Sequence, residues 1–404
     1  MPNYNYKARD NSGKLVKGVI EAASKDEVAE KLKRMGYAPI DIAEALMGVS
    51  LEKLSKGLRR ISTEEIVMFD LQLANMLNSG LSIMSSLDTL KKQVENRKLK
   101  EIIDNVARSV EGGLSLSQSF AQYPGVFSRL FISMVAAGEA SGNLDQVLNR
   151  YAEFAEAQED LRQKIRAALF YPAILIVAAT LVIVFIVTFV IPKFVEIFQR
   201  AGIAMPAATI LLYHLGNFIK QFWYLMILAI GLIGVGFKAY IKTTAGRIKI
   251  DRLSLKLPVI GPLVRKTCIS RFARTLSTLI ASGVPILQSL DIVRDVVDNE
   301  VLGQVIYQMR MAAEKGEKLS ESLKVSAEFP PDTVQMISVG EESGNLEGML
   351  NKISDFYDRA INYSIKKITT VLEPVFLVIM GAIVAFIMAS MLLPMFDMIK
   401  LLRR

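Results

Sequence analysis

Few residues in this chain have types and spacing suited to chemistry. His214 and Cys268 are each the only residue of their kind among 404. His214 follows Leu212 and Tyr213 in an apolar stretch, which suits an interfacial residue better than a base or a ligand. Cys268 has no second cysteine to pair with, so the chain fits a reducing compartment and Cys268 reads as a small packing residue. Gly261-Pro262-Leu263-Val264-Arg265-Lys266-Thr267 comes nearest to a phosphate loop. Aligned on Lys266-Thr267, it has Arg265 where the second glycine belongs, and it reads instead as the basic start of a helix. No catalytic set emerges, and neither an enzymatic activity nor a cofactor or metal is expected.

One polar motif occurs twice. Gly138-Glu139-Ala140-Ser141-Gly142-Asn143-Leu144 recurs as Gly340-Glu341-Glu342-Ser343-Gly344-Asn345-Leu346. Its glycines, Gly138 and Gly142 in one copy and Gly340 and Gly344 in the other, permit a tight turn between helices. The Ser or Asn oxygen can accept from the free N–H groups of the next helix. Glu139 and Glu341 can complement a positive helix start. The alternative is a hard cation held by Glu139 and Asn143, for which two side-chain oxygens are too few without backbone help.

The elements that carry these turns are themselves duplicated. Phe69, Gly80, Leu87 and Asp88 recur as Phe272, Gly283, Leu290 and Asp291, and Pro172 and Pro192 recur as Pro374 and Pro394. The offset changes from 203 to 202 along the way (283 − 80 and 374 − 172), so one residue has slipped. A repeat this long is a whole domain with its attached apolar run. Helix-breaking residues at 78–80, 112–113, 123–125 and 142 predict about six short antiparallel helices over 62–166. Breaks at 282–283, 316, 329–331 and 344 predict the same over 266–372. Residues 1–42 read as a strand–strand–helix–strand module. Ser24 starts its helix with capping-box spacing to Glu27, and Gly36 ends it. No signal peptide is expected there, and residues 43–61 read as a linker ending in Arg59-Arg60.

Residues 167–191 are 25 uncharged positions, roughly 38 Å of helix against a hydrocarbon core of roughly 30 Å. Residues 373–396, uncharged from Pro374 onward, are a second candidate span. Residues 221–237, headed by the interfacial aromatics Trp223 and Tyr224, are a third. The expected order is span, external loop over 192–220, span, basic segment over 238–265, second bundle, span and a tail over 397–404. The formal net charge is +8. Between Lys238 and Arg274 ten basic residues face one acid, Asp251. This block follows an apolar run and lacks the interleaved aromatics of a base-stacking platform, so a membrane surface is expected and nucleic acid is not. With Arg162, Lys164 and Arg166 before the first span, it places both bundles in the cytoplasm. The tail charges Lys400, Arg403 and Arg404 run against that order. The spans hold no ionisable residue at mid-membrane, which counts against a transporter; a membrane-bound enzyme lacks its residues.

The chain resembles the inner-membrane platform protein shared by type IV pilus assembly and type II secretion. The resemblance is carried by Tyr4-x-Tyr6-x-Ala8 with Asp10, Gly13 and Gly18, the duplicated bundle, both Gly-Glu-x-Ser-Gly turns, Tyr171-Pro172, and Leu257-Pro258-Val259-Ile260-Gly261-Pro262-Leu263. It implies a mainly α, polytopic membrane scaffold: two cytoplasmic helical bundles, three transmembrane helices and a small N-terminal α+β module. The implied partners are a cytoplasmic hexameric assembly ATPase, pilin or pseudopilin subunits, other inner-membrane assembly proteins, membrane lipid and further copies of the chain as a homo-oligomer. The exposed charges expected to dock the ATPase are Arg59, Arg60, Arg265 and Lys266.

Overall fold

The computed structural model describes residues 3–9, 15–44, 61–200 and 205–402. Contacts divide the chain into Met1–Ser62 with Lys91–Asn105, and Thr63–Leu90 with Val106–Arg404.

In the first unit, β1 (Asn3–Arg9) lies between β2 (Leu15–Glu21) and β3 (Ala38–Glu44), both antiparallel to it. Tyr4 pairs across to Ile20 and Ala8 to Val16, and the register against β3 shifts between Lys7 and Ala8. Helix α1 (Lys25–Arg34) buries Val28 and Leu32 against Tyr4 and Ala22. Ser24 accepts from the Glu27 N–H, as its spacing predicts. The Glu27 carboxylate reaches one residue further back than a strict capping box and accepts from the Ala23 N–H at 2.7 Å. That bond holds its carboxyl below the usual glutamate range. Residues 45–60 of the expected linker, Arg59 and Arg60 among them, lie outside the described residues.

Each repeat has the six helices its breaks predict. The first has α2 (Thr63–Asn78), α3 (Ile83–Gln93), α4 (Arg97–Glu111), α5 (Leu116–Ala121), α6 (Arg129–Ser141) and α7 (Leu144–Phe185). After α7 come a π-helical turn (Ile186–Val190), α8 (Ile191–Arg200), α9 (Ala207–Lys242) and α10 (Thr244–Lys256). The second repeat has α11 (Ile260–Ala281), α12 (Ile286–Val296), α13 (Glu300–Glu314), α14 (Leu319–Lys324), α15 (Pro331–Glu342) and α16 (Leu346–Leu402). The glycines at equivalent breaks, 80 and 283, 113 and 316, 142 and 344, all have positive φ. The slipped residue lies between α5 and α6: six residues separate Phe120 from Phe127, and five separate their counterparts Leu323 and Phe329.

Three helices are long and apolar enough to cross a membrane: Leu144–Arg200, Ala207–Lys242 and Leu346–Phe396. The most apolar window of the middle one is 0% buried, as a surface solvated by lipid requires. The external loop expected over 192–220 is instead helical at 191–200 and 207–220. The charges at Lys193, Arg200 and Lys220 suggest a loop, but Ile191, Val195 and Phe198 keep a helical period and are buried. With Val187, Leu212 and Ile387, the first two of them form a core that joins the ends of all three spans. Gly216 lets α9 approach the π-helical turn: a Cβ there would stand 2.2 Å from the Val187 carbonyl oxygen. The span expected to begin at residue 221 is the second part of α9, which departs from helical geometry at Phe222 (φ −115°, ψ 16°).

Candidate functional site

The paired turns are built alike. Gly142 (φ +73°) and Gly344 (φ +69°) follow α6 and α15 in the left-handed region, where a side chain would be strained. Gly138 and Gly340 serve close approach instead. A Cβ on Gly138 would lie 3.1 Å from Leu144 Cα, and one on Gly340 3.1 Å from Leu346 Cα. So α6 folds tightly onto α7, and α15 onto α16.

The two glutamates act on a helix other than the one their spacing suggests. Glu139 accepts from the N–H groups of Leu116 and Ser117 and from the Ser117 hydroxyl. Glu341 accepts from the N–H groups of Leu319 at 2.6 Å and Ser320 at 3.0 Å. Each carboxylate therefore caps the short helix before its own, α5 or α14, by filling free donors with an anion. The reading of an Asn cap on the following helix holds in one copy. Asn345 Oδ1 accepts from the Gly348 N–H at 3.1 Å, whereas Asn143 makes no side-chain cap bond to α7. No group of three His, Cys, Asp or Glu side chains suited to a metal occurs among the described residues. The Ser115–Gln118 capping box of α5 is legible in its spacing, but its link to Glu139 across 22 or 23 residues is not.

The basic block divides into spent and free charge. Arg265 donates through Nε and Nη2 to Glu328 Oε2, at 3.1 and 2.8 Å. Lys266 Nζ donates to Ser364 Oγ at 2.8 Å. Arg274 pairs with Asp358 at 2.6 Å and with Asp355 at 3.3 Å. Arg247 pairs with Asp298 at 3.1 Å. These contacts hold α10, α11 and α16 within the second repeat. Lys238, Lys242, Lys249, Arg252 and Lys256 are exposed and make no ion pair among the described residues. Gly261 to Thr267 lies at the start of α11, as the helix-start reading expects. Burial pushes the Cys268 thiol up to about 12, so it stays protonated, with its sulfur 3.5 Å from the Val297 carbonyl oxygen. His214 is exposed on α9.

One charged residue has no sign in the spacing. Asp70 on α2 is 1% exposed, and neither carboxylate oxygen has a hydrogen-bond partner among the described residues. Burial pushes its carboxyl well above the usual aspartate range.

Comparison with known proteins follows the same division of the chain. The family model described as type II secretion system (T2SS), protein F, matches residues 69–192 and again 272–394. The model of that family's N-terminal domain matches residues 1–43. A type IV pilus assembly protein PilC of Thermus thermophilus is 38% identical over 99% of this chain and 98% of its own length. A type II secretion system protein F of Vibrio cholerae is 34% identical over 100% of both. A PilC of Pseudomonas aeruginosa is 32% identical over 92% of this chain and 98% of its own length. Each matched repeat runs from its first helix into an apolar span, the unit the duplication defines, and on these grounds the chain belongs to the type II secretion system protein F family, the inner-membrane platform of type IV pilus and type II secretion machines.

Proposed function

We propose that this platform couples a cytoplasmic assembly ATPase to the insertion of pilin or pseudopilin subunits into a filament, with no chemistry of its own. The observation that carries this reading is the continuity of the long helices. One runs from the Gly142 turn to Arg200 and the other from the Gly344 turn into Leu402; the first carries a π-helical turn, and Pro172, Pro192, Pro374 and Pro394 each withhold one backbone N–H without ending the helix. The first has 57 residues, roughly 85 Å at 1.5 Å per residue. A bundle displaced at one end would therefore tilt a span at the other. Both bundles face the cytoplasm and the C-terminus lies outside, on the charge argument already given. Reporter fusions after Arg166, within 201–206, after Ala245 and after Arg404 should then read in, out, in, out. A cytoplasmic signal after Arg404 would remove one span from the scheme.

Within the second unit the docking charges for the ATPase are Arg265, Lys266 and the free charges of α10; Arg59 and Arg60 are a separate candidate on the linker. Because Arg265 and Lys266 also hold the bundle together, Lys249, Arg252 and Lys256 test docking alone. Reversing these three to Glu should leave the protein level unchanged, abolish ATPase co-purification and stop filament assembly, since rim charges govern encounter. Normal co-purification and normal filaments would place the contact elsewhere. ATP hydrolysis by the purified chain would overturn the non-enzymatic reading.

A further inference from the structure

A cleft of about 360 Å³ opens between the start of α11 and the part of α16 just before its span. Two lysines, Lys266 and Lys367, line it beside an apolar wall that includes Pro262, Leu263, Ile368 and Val371. Neither lysine makes an ion pair among the described residues. Lys266 is pinned through one donor to the neutral Ser364 hydroxyl, which leaves two N–H donors and a full positive charge at the mouth. The rim is apolar and open: Val259 is 55% exposed and Tyr363 72%.

The duplication shows that the fold does not require these charges. The counterparts of Lys266 and Lys367 in the first repeat are Thr63 and Ile165 (266 − 63 = 203; 367 − 165 = 202). Below the lysines the apolar wall continues. Leu263 and Ile368 are shared with a crevice that reaches Leu372, and Leu372 is shared with a groove between the first and third spans that ends at Ile383. From Ile368 to Ile383 the helix rises roughly 22 Å, longer than the roughly 15 Å of hydrocarbon in one leaflet.

We infer that this cleft and groove form a binding site for an anionic phospholipid of the adjacent leaflet, with its phosphate on Lys266 and Lys367 and an acyl chain between the first and third spans. Cationic donors above an apolar track match a molecule that is anionic at one end and aliphatic at the other. Free phosphate would satisfy the lysines but not the track, and a subunit's apolar helix the track but not the lysines. The inference rests on the spans crossing a bilayer and is independent of ATPase coupling.

The test uses the full-length protein in detergent with equal amounts of phosphatidylglycerol and phosphatidylcholine, and counts bound lipid by native mass spectrometry. The wild-type chain should retain phosphatidylglycerol selectively. The Lys266→Gln/Lys367→Gln double variant should retain it on the order of tenfold less, and Lys266→Arg/Lys367→Arg should retain it as wild type does. Helical circular dichroism checks that each variant is folded. Val371→Asn, which keeps both lysines, should also weaken retention. Equal retention by the double Gln variant, or no preference for phosphatidylglycerol in the wild type, overturns the site. Displacement of the lipid by millimolar inorganic phosphate, or full retention by Val371→Asn, would make it a phosphate site only and overturn the lipid assignment.

Discussion

The two repeats share helices and turns but hold their cores together differently. In the first, Phe69, Phe120, Phe127, Phe131 and Tyr151 form an aromatic cluster with ring centroids 4.4 to 6.3 Å apart. In the second, Leu323, Thr333 and Ile353 stand where Phe120, Phe131 and Tyr151 stood, and the Phe272–Phe329 pair remains at 5.2 Å. Polar pairing takes over. Thr333 and Tyr357 share a hydroxyl hydrogen bond at 2.9 Å, and Ser277 donates to Asn351 at 2.8 Å. Arg274 and Ser270 both meet Asp358, locking α11 to α16. The first repeat ties its corresponding helices, α2 and α7, through Asn78 and Asn149 at 3.1 Å. One backbone plan therefore tolerates two kinds of core. Aromatic packing gains from buried area and ring geometry. Charged pairs at half-exposed positions add less stability and more directional register.

The largest test of that contrast is Phe120→Ala. Phe120 is fully buried and touches three aromatic neighbours, so its truncation should cost about 3–5 kcal/mol. Hydrogen exchange across α2 and α5 to α7 in the full chain should report it. The equivalent Leu323→Ala should cost no more, because fewer contacts are lost.

A smaller and opposite effect is expected at Asp70, the site where the second repeat has Ala273. An unsatisfied buried polar group costs about 1–3 kcal/mol. Asp70→Ala should therefore stabilise the first repeat at neutral pH. The sign with pH follows from the raised folded-state pKa. The wild-type repeat binds a proton there more tightly than the unfolded chain does, so its stability is greatest below the unfolded value of about 3.9 and falls as pH rises through the folded one. Melting curves at pH 5 and pH 8 should diverge in the wild type and converge in Asp70→Ala. A pH-independent wild type would mean that Asp70 is reached by water.

The smallest effect concerns the capping glutamates. Glu139→Gln and Glu341→Gln should each cost about 1 kcal/mol, the scale of a lost cap. Glu139 also accepts from the Ser117 hydroxyl, whereas among the described residues Glu341 has no such third bond and Ser320 Oγ is buried without a partner. Glu139→Gln should therefore be the more destabilising of the two in thermal unfolding. The reverse order would show that the hydroxyl bond adds nothing.

The duplication, the helix breaks, the N-terminal module and the three apolar runs are legible in the residues alone. Each rests on local physics: a glycine past a helix end, a serine three residues before its partner, a run too apolar to face water. The tertiary structure alone decided which helix Glu139 and Glu341 cap, that residues 191–200 and 207–220 stay helical, and which lysines and arginines are spent on packing. It alone showed Asp70 to be buried. All of these depend on partners brought together from distant parts of the chain. Spacing encodes the period of a helix and the position of its ends, whereas the neighbour a side chain meets across a bundle is set by packing.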